Sequence, residues 1–472
     1  MLKTKIVCTL GPACDAPEIL THLVRGGMDV ARMNFSHGTH EEHLTRLNQF
    51  RKICEDENQA IPIMLDTKGP EIRLGNFPGG QVELIEGQRY TLTTEDIPCD
   101  GERAGVSYQG LPEDAVAGAV ILIDDGLVEL DVLEISGREV KCVVKNSGVI
   151  SSHKSLNLPG LKVRLPAIGE SDREDLLFGI EHGVDFVSAS FIRKKADIDE
   201  IREFLNRHGG EAIHIIAKIE SQEGLDNFDE IVRAADGIMV ARGDLGVEIP
   251  LELIPETQKQ MIRLCREWGK PVITATQMLD SMIRSPRPTR AEVTDVANAV
   301  YDGTSAVMLS GETASGKYPA EALEYMRRIV KAAESNSVDE VRFRRGGLQL
   351  KTDNVTDAIG HATCTVAKDL DAAAIVTVTS RGFSARHLAS RQPDCPIIGL
   401  TFDKKTFYRL RLYRGVHPML TKEAFSGDEL FDNAAQCAKD SGHVGEGDCV
   451  VITAGLPLGV SGTTNMLKVE YL

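Results

Sequence analysis

The chain has 472 residues, with 53 basic and 70 acidic side chains and a formal net charge of −17. Its length predicts about three domains, and the acidic balance argues against nucleic acid or an anionic membrane as a partner. No apolar run reaches the roughly 18 residues of a membrane helix, and the N-terminus lacks signal-peptide features. The ten cysteines have no metal-site spacing, and Cys8, Cys54, Cys142 and Cys265 lie in apolar patterns, which predicts reduced packing residues in a cytoplasmic protein.

Strand-like and helix-like segments alternate over the first 68 residues. Apolar runs at 5–10, 30–35 and 61–65 predict three strands, and amphipathic stretches at 16–24 and 40–55 predict the helices between them. Between residues 71 and 164 the pattern changes to short alternating runs separated by turn clusters, without a long helical pattern. This change predicts an all-β domain inserted after the third strand.

The strand–helix alternation resumes near residue 170. Strands are predicted at 185–191, 213–219, 237–240, 272–276 and 306–309. Amphipathic stretches that precede or separate these strands predict helices at 171–182, 196–208, 225–235, 255–268 and 289–301. Together with the first three strands this makes eight units, which favours an α/β fold of the (β/α)8 TIM-barrel type; an open doubly wound sheet is the alternative. A polar stretch near 336–352 is a predicted linker, and a further strand–helix set follows it, at 374–379, 385–390, 397–400 and 449–453. The predicted domains are a barrel over 1–68 and 166–340, an inserted β-barrel over 69–165, and a C-terminal α/β domain over 341–472.

Polar side chains gather at the C-terminal ends of five predicted barrel strands, where barrel enzymes place their active sites. A single Asp or Lys on an inward strand face is more often part of a structural ion pair. Five strands that carry such groups at one end favour a binding site, because buried charges are costly unless they are paired or bind a ligand. The residues are Arg32, Asn34 and Ser36 on the second strand, Asp66 and Thr67 on the third, Lys218 and Glu220 on the fifth, Gly243 and Asp244 on the sixth, and Thr276 on the seventh.

The types of these residues indicate phosphate and metal chemistry. Glu220 and Asp244 come from adjacent strands and suit Mg²⁺ or Mn²⁺, which leave coordination positions for substrate oxygens. Arg32 offers a planar fork for phosphate or carboxylate, and Lys218 a compact positive charge. Such a set around one small anion favours phosphoryl transfer or enolate stabilisation. The remaining group has one carboxylate among several neutral oxygens, which fits a monovalent cation or a plain hydrogen-bond network: Asn34, Ser36, Asp66 and Thr67.

Residues 311–317 match the phosphate-binding pattern GxxxxGK, but Tyr318 stands where that motif needs a Ser or Thr ligand for Mg²⁺. The segment also follows the eighth strand of a long series. We therefore interpret it as a glycine-bounded loop that leads into a helix beginning near Pro319.

Longer motifs are spread over the chain, among them RMNFSHG at 32–38, LDTKGPEIR at 65–73, KIES at 218–221, ARGDLGVEIP at 241–250 and MLSGETASGKYP at 308–319. With these motifs the chain resembles the pyruvate kinase family, of the bacterial type, over essentially its whole length. The resemblance implies transfer of the phosphoryl group of phosphoenolpyruvate to ADP, giving ATP and pyruvate in the last step of glycolysis. It also implies Mg²⁺ (or Mn²⁺) and K⁺ as cofactors, and a cytoplasmic, allosteric homotetramer.

The resemblance implies a role for each candidate residue. Arg32 clamps the phosphate, Lys218 stabilises the transferring phosphoryl group and the enolate, and Thr276 lies where the enolate is protonated through water. Gly243, Asp244 and Thr276 match substrate contacts, and Glu220 and Asp244 match the Mg²⁺ ligands. Asn34, Ser36, Asp66 and Thr67 match the K⁺ site, Glu71 matches the acidic residue that accompanies K⁺ dependence, and Asn34, His37, Arg73 and Lys154 match nucleotide contacts.

The inserted domain is predicted to act as a lid over the barrel mouth, because a phosphoryl donor must be shielded from water. Its predicted hinges are 69–70 and 159–166. Near Lys154 the sequence departs from the family, since Ser155 stands where the family usually has glycine. In the C-terminal domain the loops 379–385 and 461–465 resemble the family's site for a sugar-phosphate or nucleotide effector. The candidate effector residues are Thr379, Ser380, Arg381 and Ser384, and Phe383 occupies a position that is often basic.

Two other functions are consistent with part of this pattern. A metal-dependent barrel lyase of phosphoenolpyruvate or pyruvate would share Arg32, Glu220 and Asp244, but it would have no use for Arg73 and Lys154 on a hinged domain. A catalytically silent homologue would be expected to have lost the charged residues at the strand ends. All of those residues are present.

Overall fold

The computed structural model describes residues 2–335, 354–457 and 462–472. The predicted linker near 336–352, the predicted boundary between residues 340 and 341, and Ser461 of the predicted effector loop lie outside the described residues. Within the described residues, no helix is both long enough and apolar enough to cross a membrane. All ten cysteines are free, and the predicted packing cysteines Cys8, Cys54, Cys142 and Cys265 are buried.

The N-terminal segment forms three strands and two helices. Thr39 caps the second helix by accepting a hydrogen bond from the Glu42 backbone, while the Glu42 carboxylate accepts one from the Thr39 backbone. The first helix ends at Gly27, whose φ of 96° suits glycine. The elements are β1 (Lys5–Leu10), α1 (Pro17–Gly26), β2 (Val30–Asn34), α2 (His40–Asp56) and β3 (Ile63–Asp66).

After β3 the chain leaves the barrel and forms the inserted β structure. Alternate strand residues such as Leu92, Leu130 and Val140 point into a hydrophobic cluster of its own. The elements are β4 (Ile72–Arg73), β5 (Gln81–Leu84), β6 (Arg89–Thr93), β7 (Arg103–Gly105), α3 (Leu111–Asp114), β8 (Val120–Ile123), β9 (Val128–Ser136), β10 (Glu139–Val144), β11 (Gly148–Ser151) and β12 (Ser155–Asn157). Seven strands form one sheet in the order β4-β12-β8-β9-β10-β6-β7, and β11 pairs with β5.

The second part of the barrel departs from prediction at three places. The predicted helix at 225–235 is two short helices that meet at Asn227, the residues after 241 form a helix, and the predicted loop at 311–317 begins with one. The elements are α4 (Glu170–Glu181), β13 (Phe186–Ala189), α5 (Lys195–Arg207), β14 (His214–Ile219), α6 (Gln222–Asp226), α7 (Phe228–Ala234), β15 (Gly237–Ala241), α8 (Arg242–Glu248), α9 (Ile254–Glu267), β16 (Val272–Ala275), α10 (Arg290–Asp302), β17 (Ala306–Leu309), α11 (Gly311–Ala314) and α12 (Pro319–Ser335).

Eight parallel strands close into a barrel in the order β1-β17-β16-β15-β14-β13-β3-β2. The predicted TIM barrel is confirmed, and the open-sheet alternative is wrong because β1 pairs with both β2 and β17. Buried side chains such as Val7, Met64 and Ile216 fill the interior. Since all eight strands run in the same direction, their C-terminal ends meet at one mouth.

The C-terminal segment forms a five-stranded sheet, ordered β20-β19-β18-β21-β22, with hydrophobic clusters on both faces. It begins with α13 (Val355–Asp369), β18 (Ala374–Val378), α14 (Phe383–Arg391), β19 (Ile397–Thr401) and α15 (Lys404–Leu410). It ends with β20 (Val416–Leu420), α16 (Gly427–Asp440), β21 (Cys449–Gly455) and β22 (Thr464–Tyr471), the last antiparallel to β21.

The C-terminal segment covers the N-terminal end of the barrel. Leu412 is fully buried and belongs to the same cluster as the interior barrel side chains. The ammonium group of Lys5, on the first residue of β1, donates to the Val416 carbonyl at 2.9 Å. Arg409 lies 3.0 Å from the ring of His214, the first residue of β14. The opposite end, with the predicted polar residues, therefore remains as the barrel's mouth.

Candidate active site

Four charged side chains from β2, β3 and β14 form one buried ion network at the barrel mouth. The Arg32 Nε donates to Asp66 Oδ2 at 2.9 Å. The Lys218 Nζ lies 3.2 Å from Asp66 Oδ1 and 3.0 Å from Glu220 Oε1. All four residues are less than a tenth exposed. Asp66 therefore joins two cations, and Lys218 lies between two carboxylates.

This network holds its charges in place electrostatically. Burial would lower the pKa of Lys218, but Asp66 and Glu220 outweigh that effect and raise it, so the ammonium group stays charged. Burial would likewise raise the pKa of Asp66, but Arg32 and Lys218 hold it below its usual value. Burial raises the pKa of Glu220 to about 7; Asp244 adds to the increase and Lys218 opposes it. The mouth thus presents two fixed cations beside two carboxylates that repel each other.

Ser190 is a residue of this site that our sequence analysis did not single out. Its hydroxyl accepts a hydrogen bond from Lys218 Nζ at 2.6 Å and donates to the Thr67 carbonyl at 2.6 Å. The next residue, Phe191, donates its backbone N–H to Glu220 Oε2 at 2.6 Å. The signal available in the sequence was position alone, since Ser190 lies near the end of the predicted strand at 185–191, at the same end of the barrel, and directly follows the observed strand β13.

The sixth and seventh strands bring Gly243, Asp244 and Thr276 to the same mouth. The Thr276 hydroxyl accepts from the Gly243 backbone at 2.8 Å and donates to the Ala275 carbonyl at 2.6 Å. Thr276 has a φ of 67°, a strained value for a β-branched residue and one that recurs at functional sites. Arg242 also donates to the Thr276 carbonyl at 2.7 Å. The threonine hydroxyl is therefore held between its own strand and the segment that follows β15.

The predicted monovalent-cation residues lie on the paired strands β2 and β3, where Asn34 is opposite Asp66. Asn34 Oδ1 accepts from the Ser36 backbone at 3.2 Å, and the Thr67 hydroxyl accepts from the Ser190 backbone at 3.3 Å. The Asp66 carboxylate is shared between Arg32 and Lys218. The group therefore combines neutral oxygens with a carboxylate that is already compensated.

The predicted nucleotide residues fall into two sets. Arg73 and Lys154 lie on neighbouring strands of the inserted sheet, where Arg73 pairs with Glu71 at 2.8 Å and Lys154 with Asp124 at 2.9 Å. His37 lies beside Arg32 and Asn34 on a large cavity at the barrel mouth. The structure therefore places one set on the inserted domain and the other at the barrel mouth.

A second cavity separates the inserted domain from the barrel and is lined on its two sides by Glu71, Ser155 and Asp244, among others. Asn157 crosses this cleft and donates to Glu248 Oε1 at 3.2 Å. The family departure at Ser155 has a local partner, because its hydroxyl donates to Asp125 Oδ1 at 3.0 Å. The inserted domain thus faces the site across a gap that a substrate can enter.

Three of the four candidate effector residues line a cavity in the C-terminal domain. Thr379, Ser380 and Ser384 line it, and the Thr379 hydroxyl accepts from the Gly382 backbone at 3.0 Å. Arg381, the fourth candidate effector residue, is exposed and does not line this cavity. Among the described residues that line it, the basic one is Lys422, which the sequence analysis did not identify.

The fold and the site together define a barrel phosphotransferase. A family model described as the pyruvate kinase barrel domain matches residues 1–323, and one described as the pyruvate kinase alpha/beta domain matches residues 357–470. A pyruvate kinase from Clostridium acetobutylicum is 48% identical over 474 residues and covers both chains completely. One from Geobacillus stearothermophilus is also 48% identical, over all of this chain and 80% of its own length.

A crystal structure of a pyruvate kinase from Cryptosporidium parvum superposes with a TM-score of 0.93 at 40% identity, covering 100% of this chain and 96% of that one. The chain belongs to the pyruvate kinase family. It is a metal-dependent enzyme that transfers the phosphoryl group of phosphoenolpyruvate to ADP, with pyruvate and ATP as products. The comparisons support this function and not the lyase alternative.

Proposed function

We propose that the phosphoryl group of phosphoenolpyruvate binds between Arg32 and Lys218 and is transferred from there to ADP. The observation that carries this proposal is the charged Lys218, buried between Asp66 and Glu220 at the mouth. During transfer, negative charge spreads over the phosphoryl oxygens and the enolate. Cations that are already fixed in a dry site stabilise that charge without reorganising. Asp66 serves both cations by holding them on one side of the substrate.

The divalent ion in this proposal is Mg²⁺ or Mn²⁺, held by Glu220 and Asp244. The two carboxylates fit such an ion because they lie close enough that Asp244 raises the pKa of Glu220, and a cation between them would remove the repulsion. When bound, the ion supplies positive charge to the substrate oxygens. The backbone of Phe191 orients Glu220 through the bond to its other oxygen.

The monovalent ion in this proposal is K⁺, held by the oxygens of Asn34, Ser36, Asp66 and Thr67. Their low net charge supports this choice, because Asp66 is already compensated by Arg32 and Lys218. Glu71 lies across the cleft on the inserted side. It stays paired with Arg73 in the arrangement described here.

Protonation of the enolate is assigned to the position of Thr276. The hydroxyl is held between the Gly243 N–H and the Ala275 carbonyl, so it orients a water molecule and does not itself act as a strong acid. Gly243 and Asp244 are the accompanying substrate contacts in this proposal. The side of Gly243 on which a Cβ would stand faces the Thr276 side chain.

The nucleotide is assigned to the space between the barrel and the inserted domain, which acts as the lid. Asn34 and His37 approach it from the barrel, and Arg73 and Lys154 from the lid. The domain division proposed with this role is 1–68 with 166–340 for the barrel, 69–165 for the lid and 341–472 for the C-terminal domain. Separate hydrophobic clusters in these segments support it.

A homotetramer, a cytoplasmic location and an effector site complete the proposal. The cavity lined by Thr379, Ser380 and Ser384 is the candidate effector site, for a sugar phosphate or a nucleotide. Free cysteines agree with a reducing compartment. No nucleic acid or membrane partner is proposed, because the chain is acidic.

The test is pyruvate formation from phosphoenolpyruvate and ADP with Mg²⁺, measured with K⁺ and with Na⁺ as the only monovalent cation. Turnover that needs both ADP and K⁺ supports phosphoryl transfer to the nucleotide and the monovalent site. Turnover that is indifferent to K⁺ would overturn the monovalent site and leave the kinase intact. Pyruvate released without ADP would overturn phosphoryl transfer to the nucleotide.

A further inference from the structure

The chain crosses between barrel and lid twice, and one buried carboxylate contacts both crossings. Asp172 lies in the first turn of α4 and is 2% exposed. Its Oδ1 accepts from the Gly69 backbone, on the outgoing crossing, at 2.9 Å. Its Oδ2 accepts from the Gly169 backbone, at the end of the returning crossing, at 2.8 Å. The second bond is an ordinary helix cap, but the first reaches a segment more than a hundred residues away.

A buried guanidinium group contacts the returning crossing at a second place. Arg193 Nη1 donates to the Val163 carbonyl at 2.7 Å, and Nη2 donates to the Leu165 carbonyl at 2.6 Å. Arg193 is 7% exposed, and its Nε lies 3.6 Å from Asp197. A planar fork that donates to two carbonyls fixes the direction of the returning crossing as well as its position. Lysine could supply only a single ammonium group here.

These contacts connect the hinge to the loop 190–193, which also supports the catalytic lysine through Ser190. Gly69 has a φ of 76°, and a Cβ there would lie 2.8 Å from the Ser190 Cβ, so the outgoing crossing packs directly on this loop. Ser190 accepts from Lys218, and Arg193 lies three residues further along. The lid crossings and the substrate-binding cations therefore share one rigid frame.

We propose that Asp172 and Arg193 form a hinge clamp, a pair of positioning residues that set the fraction of molecules in which the lid can close on the nucleotide. The proposal rests on the proposed function, in which Arg73 and Lys154 contact ADP from the lid. The apparent affinity for a ligand falls in proportion to the fraction of competent molecules. Loosening the clamp therefore acts on ADP, while phosphoenolpyruvate keeps its barrel contacts.

The first test is Asp172→Asn, with Glu174→Gln as the matched control on the exposed face of the same helix. Asparagine keeps the shape but places an NH₂ group where one backbone N–H needs an acceptor, so one hinge bond is lost. We expect the KM for ADP to rise about tenfold, with kcat and the KM for phosphoenolpyruvate within about twofold of wild type. The control should match wild type in all three.

The second test is Arg193→Lys, with Arg173→Lys as its control, and both variant pairs are compared by hydrogen exchange. We expect Arg193→Lys to raise the KM for ADP in the same way, and both clamp variants to speed amide exchange in residues 69–165 more than in the barrel. A loss of kcat with both KM values unchanged would indicate a merely structural role and overturn the clamp. Unchanged exchange in the lid would also overturn it. The exchange experiment needs no turnover, so a failure of the proposed reaction would be distinguished from a failure of the clamp.

Discussion

Replacing Lys218 by methionine removes the charge on which the proposed reaction depends and keeps a side chain of similar length. The ammonium group is lost from three partners, at 3.2 Å from Asp66, 3.0 Å from Glu220 and 2.6 Å from Ser190. A single preorganised donor aimed at developing charge is worth about 10²- to 10³-fold in kcat. Because Lys218 carries a full charge in a buried site, we expect kcat to fall by at least that factor, or about 3 to 4 kcal/mol.

The same change leaves a buried carboxylate without its cation. Asp66 keeps Arg32, and Glu220 keeps the Phe191 backbone, so neither group loses every partner. Breaking a buried ion pair by removing one member costs about 3 to 5 kcal/mol of unfolding free energy. The remaining partners place our expectation at the lower end, about 3 kcal/mol.

The assay combines steady-state pyruvate formation with urea unfolding of the same preparations. The control is Lys195→Met, which removes an exposed lysine paired with Asp199. That pair should contribute less than about 1 kcal/mol, and kcat should be unchanged. A Lys218→Met enzyme whose kcat stays within tenfold of wild type would refute the reasoning, because the phosphoryl charge would then be stabilised without this residue.

Three further changes test the frame around the site. Leu412→Ala should lower the unfolding free energy by about 2 to 5 kcal/mol in urea, because the buried side chain leaves a cavity at the barrel base; a cost below 1 kcal/mol would contradict the packing described here. Gly69→Ala should cost about 1 to 3 kcal/mol in thermal unfolding, since its φ of 76° and the contact with Ser190 oppose a Cβ; an unchanged midpoint would contradict this. Burial lowers the pKa of His214 from 6.5 to about 4, with Arg409 reinforcing the effect. The neutral His214 side chain therefore stabilises the folded state above pH 6.5, and this contribution of at most about 3 kcal/mol to the unfolding free energy is lost as the pH falls toward 4. We expect His214→Gln to flatten this dependence of the unfolding free energy on pH.

The barrel could be predicted from sequence because its signal is local and repeated. Each strand is a short apolar run, and eight of them alternate with helical stretches on both sides of the insertion. The strands that were missed lack that signal. The strand Val416–Leu420 contains Pro418 and His417. The strand Thr464–Tyr471 lies at the edge of the sheet, and its sequence includes polar and charged residues. The helix after Ala241 contains two glycines, so its helical form depends on surrounding structure and not on propensity.

The position of the site could also be predicted from the repeated strand pattern, but its individual contacts could not. Parallel strands end at one mouth, so Arg32, Asp66 and Lys218 could be expected to lie near one another. The particular ion pairs could not be predicted, because Asp66 and Lys218 are 152 residues apart. The sequence does not show whether Lys218 contacts Asp66, Glu220 or both. Ser190 and Arg193 were not predicted as functional residues, because their roles depend on contacts with other segments of the chain.

The sequence by itself thus determined the alternation of the eight barrel strands with helices, the insertion, the family and the residue types at the mouth, since periodicity and motif are properties of neighbouring positions. Only the tertiary structure decided that Asp66 joins two cations, that Leu412 fills the base of the barrel, and that Asp172 bonds to both lid crossings. Those contacts join segments far apart in the chain. Their geometry depends on barrel closure, which brings the strand ends together in a way that no local pattern encodes.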